Sequence, residues 1–395
     1  MNPFIGGNHI RLLRNGAEYF PALEDAIENA MREIYLQTYI YEADKIGISI
    51  GNALKRAAQR GVTVNLLLDG FGCKDLATAY VKELETAGVK VMFYRPKISP
   101  WTLKKSRLRR MHRKVAVIDG KVAFVGGINI IDDDNVPDNT PPRIDYAVRV
   151  EGKLLPTILS SVAKLWRRMA WSHLESEHLK TSKPKLSTSE NLQDASPSKA
   201  EKGNMNAAFI LRDNVLNRRD IETAYLAEIA QAHTEIIIAN AYFVPGRRFR
   251  KALLDAAKRG VKVKLLLQGR MEYFLMFATH AFYAIFLKND IEIYEYRKGF
   301  MHSKVAVIDC EWATVGSSNI DPFSLLLARE ANVVVKDKTF AAELHTDIMQ
   351  SIQDGAYQVL PQEWTNRHII KRFLSWLAYG IVRVFLGLIG YSKEQ

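Results

Sequence analysis

Cysteine is nearly absent: the 395-residue chain has two, Cys73 and Cys310. Two such residues build neither a disulfide framework nor a cysteine metal cluster, and a reducing compartment suits the chain. Acid is in short supply as well. Forty-three acidic residues against 55 basic ones leave a formal charge of +12, which suits a partner carrying phosphates, either nucleic acid or an anionic membrane surface. The start, Met1 to His9, offers neither a basic stretch nor an apolar core of useful length, so no secretory signal is expected there. No uncharged apolar run reaches the roughly 20 residues that a bilayer-spanning helix needs. The C-terminal stretch from Phe373 to Tyr391 comes nearest, and Arg383 interrupts it. A charge at the centre of a span costs about 2.5–3.5 kcal/mol. With Trp376, Tyr379 and Phe385 among flanking Lys and Arg residues, the stretch fits an interfacial helix better.

What the chain does have is one short pattern written twice. His112-Arg-Lys114-Val-Ala-Val-Ile-Asp119 recurs as His302-Ser-Lys304-Val-Ala-Val-Ile-Asp309, and seven residues past each Asp comes Gly-x-x-Asn, ending at Asn129 and Asn319. One copy could arise from core packing. Two copies in register imply a duplicated half-site that brings two imidazoles and two ammoniums to one cleft.

The repeat runs beyond the motif, and that decides the fold class. Ala57-Ala-Gln-Arg-Gly-Val-Thr-Val-Asn-Leu-Leu-Leu-Asp-Gly70 matches Ala256-Ala-Lys-Arg-Gly-Val-Lys-Val-Lys-Leu-Leu-Leu-Gln-Gly269, and Glu33 to Tyr41 parallels Glu235 to Phe243. Each half reads helix, apolar strand, helix, Arg-Gly turn, apolar strand, helix, strand, motif strand. The expectation is an α/β fold: two duplicated lobes about a pseudo-two-fold axis, with the motifs facing one another at the seam. The boundaries predicted are a first lobe over 1–175, a flexible Ser/Lys/Glu/Pro connector over 176–205, a second lobe over 206–362, and an amphipathic, membrane-associating segment over 363–395.

Charge is concentrated. Seven of the thirteen residues from Thr102 to Lys114 are Lys or Arg, and Arg247, Arg248, Arg250 and Lys251 form a second cluster. The first run leads directly into His112, which points to attraction of substrate. The uncharged segment Tyr273 to Leu287 carries six aromatic residues; it reads either as a buried core helix or as an apolar lip at the cleft. With the apolar loop Ile98 to Leu103, these stretches favour a lipid surface over nucleic acid as partner.

The motif residues suit phosphodiester chemistry. Lys114 and Lys304 can neutralise an anionic phosphate as point charges without a metal, and His-x-Lys has no zinc-ligand spacing, so neither metal nor cofactor is expected. One neutral histidine of the pair His112 and His302 can attack phosphorus, while the other, protonated, donates to the leaving alkoxide. Asn129 and Asn319 can donate amide hydrogens to phosphate oxygens. Asp145 and Glu330, each near the start of a strand after its own motif, are candidates to orient the imidazoles, as the carboxylate of a triad does. Asp119 and Asp309 complete the motifs as candidate catalytic residues; because they end their strands, tying the turn is the alternative.

The paired motifs, with Gly-Gly-Ile-Asn129 and Gly-Ser-Ser-Asn319, resemble the phospholipase D superfamily. Over about residues 8 to 360 the segments resemble the bacterial cardiolipin synthases of the B type, which lack N-terminal membrane helices. The strings that carry this likeness are Asn15-Gly-Ala-Glu-Tyr-Phe-Pro21, Arg109-Arg-Met-His-Arg-Lys114, Asp145 to Gly152, Ala239 to Phe243 and Trp312 to Pro322. The resemblance implies a phosphatidyltransferase in which phosphatidylglycerol gives its phosphatidyl group to His112, His302 being the acid and base, before a second lipid hydroxyl takes it. It also implies peripheral attachment to the cytoplasmic face of a bacterial inner membrane, with anionic phospholipid as partner. A hydrolase with the same site, phospholipase D or nuclease, and a non-catalytic membrane scaffold are the other readings. Ser303 departs from the Gly that such motifs often carry.

Overall fold

Both motif strands are apolar on two faces. Val115 and Val117 enter one core while Ala116 and Ile118 enter another; Val305 and Val307 part from Ala306 and Ile308 in the same way. That is the two-residue period of a strand covered on both sides. The computed structural model describes residues 3–96, 109–137, 141–178, 203–213, 217–270, 278–321, 328–365, 377 and 380. In the first half the strands are β1 (Ile5–Arg14), β2 (Glu33–Thr38), β3 (Thr63–Asp69), β4 (Lys90–Tyr94), β5 (Arg110–Met111), β6 (Lys114–Ile118), β7 (Val122–Gly126), β8 (Arg143–Ile144) and β9 (Tyr146–Gly152). The second half has β10 (Met205–Arg212), β11 (Glu235–Asn240), β12 (Lys262–Gln268), β13 (Glu292–Tyr296), β14 (Phe300–Met301), β15 (Lys304–Ile308), β16 (Trp312–Gly316), β17 (Ala328–Lys336) and β18 (Ala356–Gln358).

The strand order displays the duplication. Outward from β1 it runs β9, β7, β6, β2, β3, β4; outward from β10 it runs β17, β16, β15, β11, β12, β13, with β18 at the edge. The same path is thus traced twice, and β1 pairs antiparallel with β10 at the centre. In each half the three outer strands are parallel, and helices lie in the connections, as parallel strands require. These are Lys45–Gln59 and Thr78–Thr86 in the first half, Arg247–Lys258 and Tyr283–Leu287 in the second. The longer helices Leu155–His178 and Lys338–Gly355 contribute to a core drawn from both halves. Arg14 Nε and Tyr146 Oη both meet the Asp347 carboxylate, each at 2.6 Å, which fastens the first half to the helix of the second.

The α/β fold with duplicated lobes is therefore as expected. Not expected from sequence were β1 and β10, β7 and β16 after the motif strands, the edge strand β18, and the two-residue strands β5, β8 and β14. It left the aromatic segment open, and the core reading holds for its described part: Phe282, Tyr283 and Phe286 are buried in the second half's core, because the helix turns them inward beneath β12 and β13. Residues 271–277 of that segment lie outside the described residues. So do most of the expected connector, the Ile98 to Leu103 loop with Lys104, Lys105 and Arg107, and 366–395 apart from Leu377 and Gly380. Among the described residues no helix is long and apolar enough to cross a membrane.

Asp119 and Asp309 need correcting as catalytic candidates. Each ends its motif strand, about 17 Å from the lysine at the other end at ~3.3 Å per residue. The Asp119 carboxylate accepts from the backbone N–H groups of Met31, Arg32 and Glu33. That of Asp309 accepts from His233, Thr234 and Glu235 N–H and from the Thr234 hydroxyl. Both tie the turn that leads into β2 or β11, and both adopt a left-handed backbone, with φ of 54° and 52°. Asp309→Ala should therefore lower unfolding free energy by about 2–3 kcal/mol, from lost hydrogen bonds and a side chain less suited to positive φ. Urea unfolding checks this; unchanged stability with abolished turnover would return Asp309 to the chemistry.

Candidate active site

The segment before each histidine is a two-residue strand whose partner comes from the other half. β5 runs parallel to the start of β17, Arg110 opposite Ala328 and Met111 opposite Arg329, and His112 N–H donates to the Arg329 carbonyl at 3.0 Å. β14 runs parallel to β8, Phe300 opposite Arg143 and Met301 opposite Ile144, and His302 N–H donates to the Ile144 carbonyl at 2.8 Å. In each case the next residue on the partner is an acid. His112 Nδ1 lies 3.0 and 3.1 Å from the two Glu330 oxygens. His302 Nδ1 lies 2.7 Å from Asp145 Oδ2. The carboxylates are exchanged: each half orients the imidazole of the other.

Further groups hold these ladders in place. Asp69 Oδ2, at the end of β3, accepts from Met111 N–H at 2.7 Å. Asn15 exchanges two hydrogen bonds with the Asp145 backbone. The Ser317 hydroxyl donates to Glu330 Oε2 at 2.5 Å. At the equivalent position the first half has Gly127, where a Cβ would come within 2.2 Å of Asp145 Oδ1. The closeness of the shorter acid explains why glycine stands on that side. Asp69, Ser317, Gly127 and Asn15 were not singled out from sequence as site residues; the Gly-x-x-Asn strings contain Gly127 and Ser317, the repeated Leu-Leu-Leu-Asp-Gly70 string contains Asp69, and Asn15 opens one of the strings of the family likeness.

The two lysines are fully enclosed. Lys114 Nζ donates to the His112 carbonyl at 2.7 Å. Lys304 Nζ donates to the His302 carbonyl and stands 2.9 Å from His302 Nδ1 and 3.5 Å from Asp145 Oδ2. Burial, and then the Lys304 ammonium, push the Lys114 amine down to about 7. Burial lowers Lys304 as well, against the pull of Asp145 and Glu330. Burial and Lys304 press the His302 imidazole down to about 3, so it is neutral near pH 7, with Nδ1 turned to Asp145. Burial opposes ionisation of Asp145, yet Lys304 and His302 outweigh it and hold the carboxyl below its ordinary value. Burial and the repulsion between the two lysines both favour an anion beside them.

The other expected residues divide. Asn129 is buried and accepts from Ile40 N–H through Oδ1 at 3.0 Å. Asn319 is buried too, and its Oδ1 has no hydrogen-bond partner among the described residues. Arg113, counted in the basic run, turns away from the cleft, as the alternation between His112 and Lys114 demands. Its guanidinium bonds Gln37 Oε1 at 2.8 Å and Ser161 Oγ at 2.8 Å. Of that run Arg109 and Arg110 are partly exposed, and Arg110 lies over the exposed Phe71 ring at 5.2 Å.

Comparison with known proteins bears on the family and the fold. A family model described as "Cardiolipin synthase, PLD-like domain" matches residues 23–139 and 225–352, one stretch in each half. The chain is 39% identical over 386 residues to cardiolipin synthase B of Salmonella typhimurium strain LT2, covering 98% of this chain and 90% of that protein. It is 38% identical over 396 residues to cardiolipin synthase B of Escherichia coli K12, with the same coverage. Among solved structures, phosphatidylserine synthase of Haemophilus influenzae superposes with a TM-score of 0.70 at 12% identity, covering 99% of this chain and 97% of that one. At that identity the likeness concerns the fold alone.

The exchanged carboxylates generate a test. Asp145→Asn and Glu330→Gln keep shape but cannot hold the imidazole as the triad's carboxylate does, and each should cut kcat by about 10²–10⁴-fold with little change in KM. Steady-state kinetics of the purified variants checks this. A loss below threefold for either acid would mean that it does not orient its histidine.

Proposed function

The chain belongs to the cardiolipin synthase family of phospholipase D-like proteins, and from that premise we propose that it moves a phosphatidyl group from phosphatidylglycerol to the hydroxyl of a second phospholipid, with phosphatidylglycerol itself the expected acceptor, through a phosphohistidine. The observation that carries the proposal is the pair of carboxylate-backed imidazoles, each beside a buried ammonium.

The phosphodiester anion binds between Lys114 and Lys304. Glu330 accepts the His112 Nδ1–H, which leaves the Nε2 lone pair free for attack. Nε2 forms a bond to phosphorus, the bond from phosphorus to the glycerol oxygen breaks, and His302 gives its proton to that oxygen. Glycerol leaves. In the second step His302 takes the proton of the acceptor hydroxyl, the new oxygen–phosphorus bond forms and the nitrogen–phosphorus bond breaks, restoring His112. His302 begins neutral, since burial and Lys304 disfavour its charge. The bound phosphate offsets that repulsion, so protonation accompanies substrate binding and readies the acid only when there is a leaving group to receive the proton. The assignment of His112 as nucleophile follows the family pattern; the motifs themselves are symmetric on the point.

The reading includes peripheral association with an anionic membrane on the cytoplasmic face of a bacterial inner membrane, with 363–395 as the associating segment. Exposed Phe71, flanked by Lys74 at 5.7 Å and Arg110 at 5.2 Å, supports it as an aromatic and cationic lip; the loop that bears it is joined through Asp69 to the strand before His112. Exposed Arg247 and Arg248 on the helix Arg247–Lys258 add positive charge in the second half.

The test is mass spectrometry of lipids after incubation of the purified protein with phosphatidylglycerol vesicles, alone and with phosphatidylethanolamine, beside His112→Ala. Cardiolipin with free glycerol, absent from the variant, is the expected result. Phosphatidic acid alone would replace transfer by hydrolysis. No lipid change in either sample would overturn the lipid substrate.

A further inference from the structure

The two lysines are not supported alike. Lys304 Nζ has a carboxylate oxygen, Asp145 Oδ2, at 3.5 Å. Lys114 has no ion pair of that kind among the described residues; of the acids that bear on it, Glu330 has the strongest pull, and its oxygens are taken by His112 Nδ1 and Ser317 Oγ. Beside Lys114 stands an aromatic ring. Lys114 Nζ lies 5.4 Å from the centroid of Tyr39, over its face, and the same ring meets the His112 imidazole edge-to-face at 4.7 Å between centroids.

Tyr39 directly follows β2, and its counterpart after β11 is Ala241, as the equivalent bridges Tyr41 to Ile130 and Phe243 to Ile320 establish. The half whose motif lysine lacks a carboxylate thus has a ring, and the half whose lysine has one makes do with a methyl group. The ring is also pinned. A Cβ at Gly72 would lie 2.0 Å from the Tyr39 carbonyl oxygen and 3.1 Å from its ring, and Cys73 Sγ donates to that carbonyl at 3.3 Å. The loop after β3 therefore packs closely on Tyr39.

We propose that Tyr39 is a positioning residue whose π-face keeps the Lys114 ammonium charged, the duty that Asp145 performs for Lys304. An ammonium over an aromatic face is attracted by the ring quadrupole, the more so once desolvated. The charged groups that bear on Lys114 are Lys304, which opposes its charge, and Glu330, Asp145 and Asp69, which favour it. None of the three acids makes a direct pair with it, and burial weighs against all of them. Lys114 therefore sits close to neutral pH in its titration, where loss of the ring empties the site of one charge. Tyr39 acts through Lys114, and its hydroxyl has no part in this role.

The importance of this contact for turnover rests on the phosphodiester reading above, but the contact can be tested without turnover. Sulfate binding to the purified full chain is measured by calorimetry over about pH 5 to 9, a range in which sulfate keeps its charge and only protein groups such as His and a perturbed Lys titrate. Wild-type affinity should fall as pH rises through the Lys114 titration. In Tyr39→Leu, which fills similar space without a π-face, that fall should move about one pH unit lower, equivalent to about 1.4 kcal/mol. Tyr39→Phe should follow the wild-type curve. A Leu variant on the wild-type curve, or a Phe variant that moves with Leu, would overturn the proposal. So would a wild-type protein that binds no sulfate, or a Leu variant that fails to fold while Phe folds, since the ring would then be packing. A Tyr39-dependent sulfate curve in a protein without lipid transfer would sink the functional reading and leave this one standing.

Discussion

Two hydrogen bonds across the seam, from His112 to Glu330 and from His302 to Asp145, hold the site together because neither half supplies a complete histidine–carboxylate pair of its own. They depend in turn on two ladders of two residues each. A strand pair of that length has little stability in isolation. It persists here because β1 and β10 pair at the centre of a continuous sheet and because the two long helices share one core with both halves. Chain duplication alone would give two half-sites with nothing behind their imidazoles. The docking of the halves supplies what each lacks.

Electrostatics makes the same demand. Two ammoniums and two carboxylates are gathered in a region closed to water, where a buried charge must have a partner. At an effective dielectric near 20, unit charges about 4 Å apart interact by about 4 kcal/mol, which is the scale on which Asp145, 3.5 Å from Lys304, offsets the cost of that lysine's burial. The balance is close and uneven. Lys304 has its acid at hand; Lys114 relies on a carbonyl, an aromatic face and more distant acids. On the function proposed above, a bound phosphate adds negative charge beside both lysines, and protonation of His302 would offset it.

Much of the site was legible in the chain. A repeated His-x-Lys marked His112, Lys114, His302 and Lys304, the imidazoles and ammoniums of the candidate site, because a motif strand has one geometry wherever it folds. The alternation that buries Val115 and Val117 apart from Ala116 and Ile118 was equally plain. Asp119 and Asp309 misled because they share the motif with the histidines, although five residues of strand carry them to its other end. Arg113 misled because a run of basic residues gives no hint that one of them turns under the sheet. The segment around Phe286 could not be resolved from composition, since a core helix and an apolar lip have the same residues; only the position of β12 and β13 decides which side they face.

By itself the sequence determined that the fold is doubled, that its strands are buried on both faces, and which side chains bring imidazole and ammonium to the cleft. Those features follow from local periodicity and from residue chemistry, which travel with the chain. Which carboxylate serves which histidine was decided only by the tertiary structure. So was the difference between the lysines, one beside Asp145 and the other under Tyr39. These are relations between residues far apart in the chain, 157 positions for His302 and Asp145 and 218 for His112 and Glu330. Their pairing is set by sheet register and by the packing of one half against the other, and no local pattern records either.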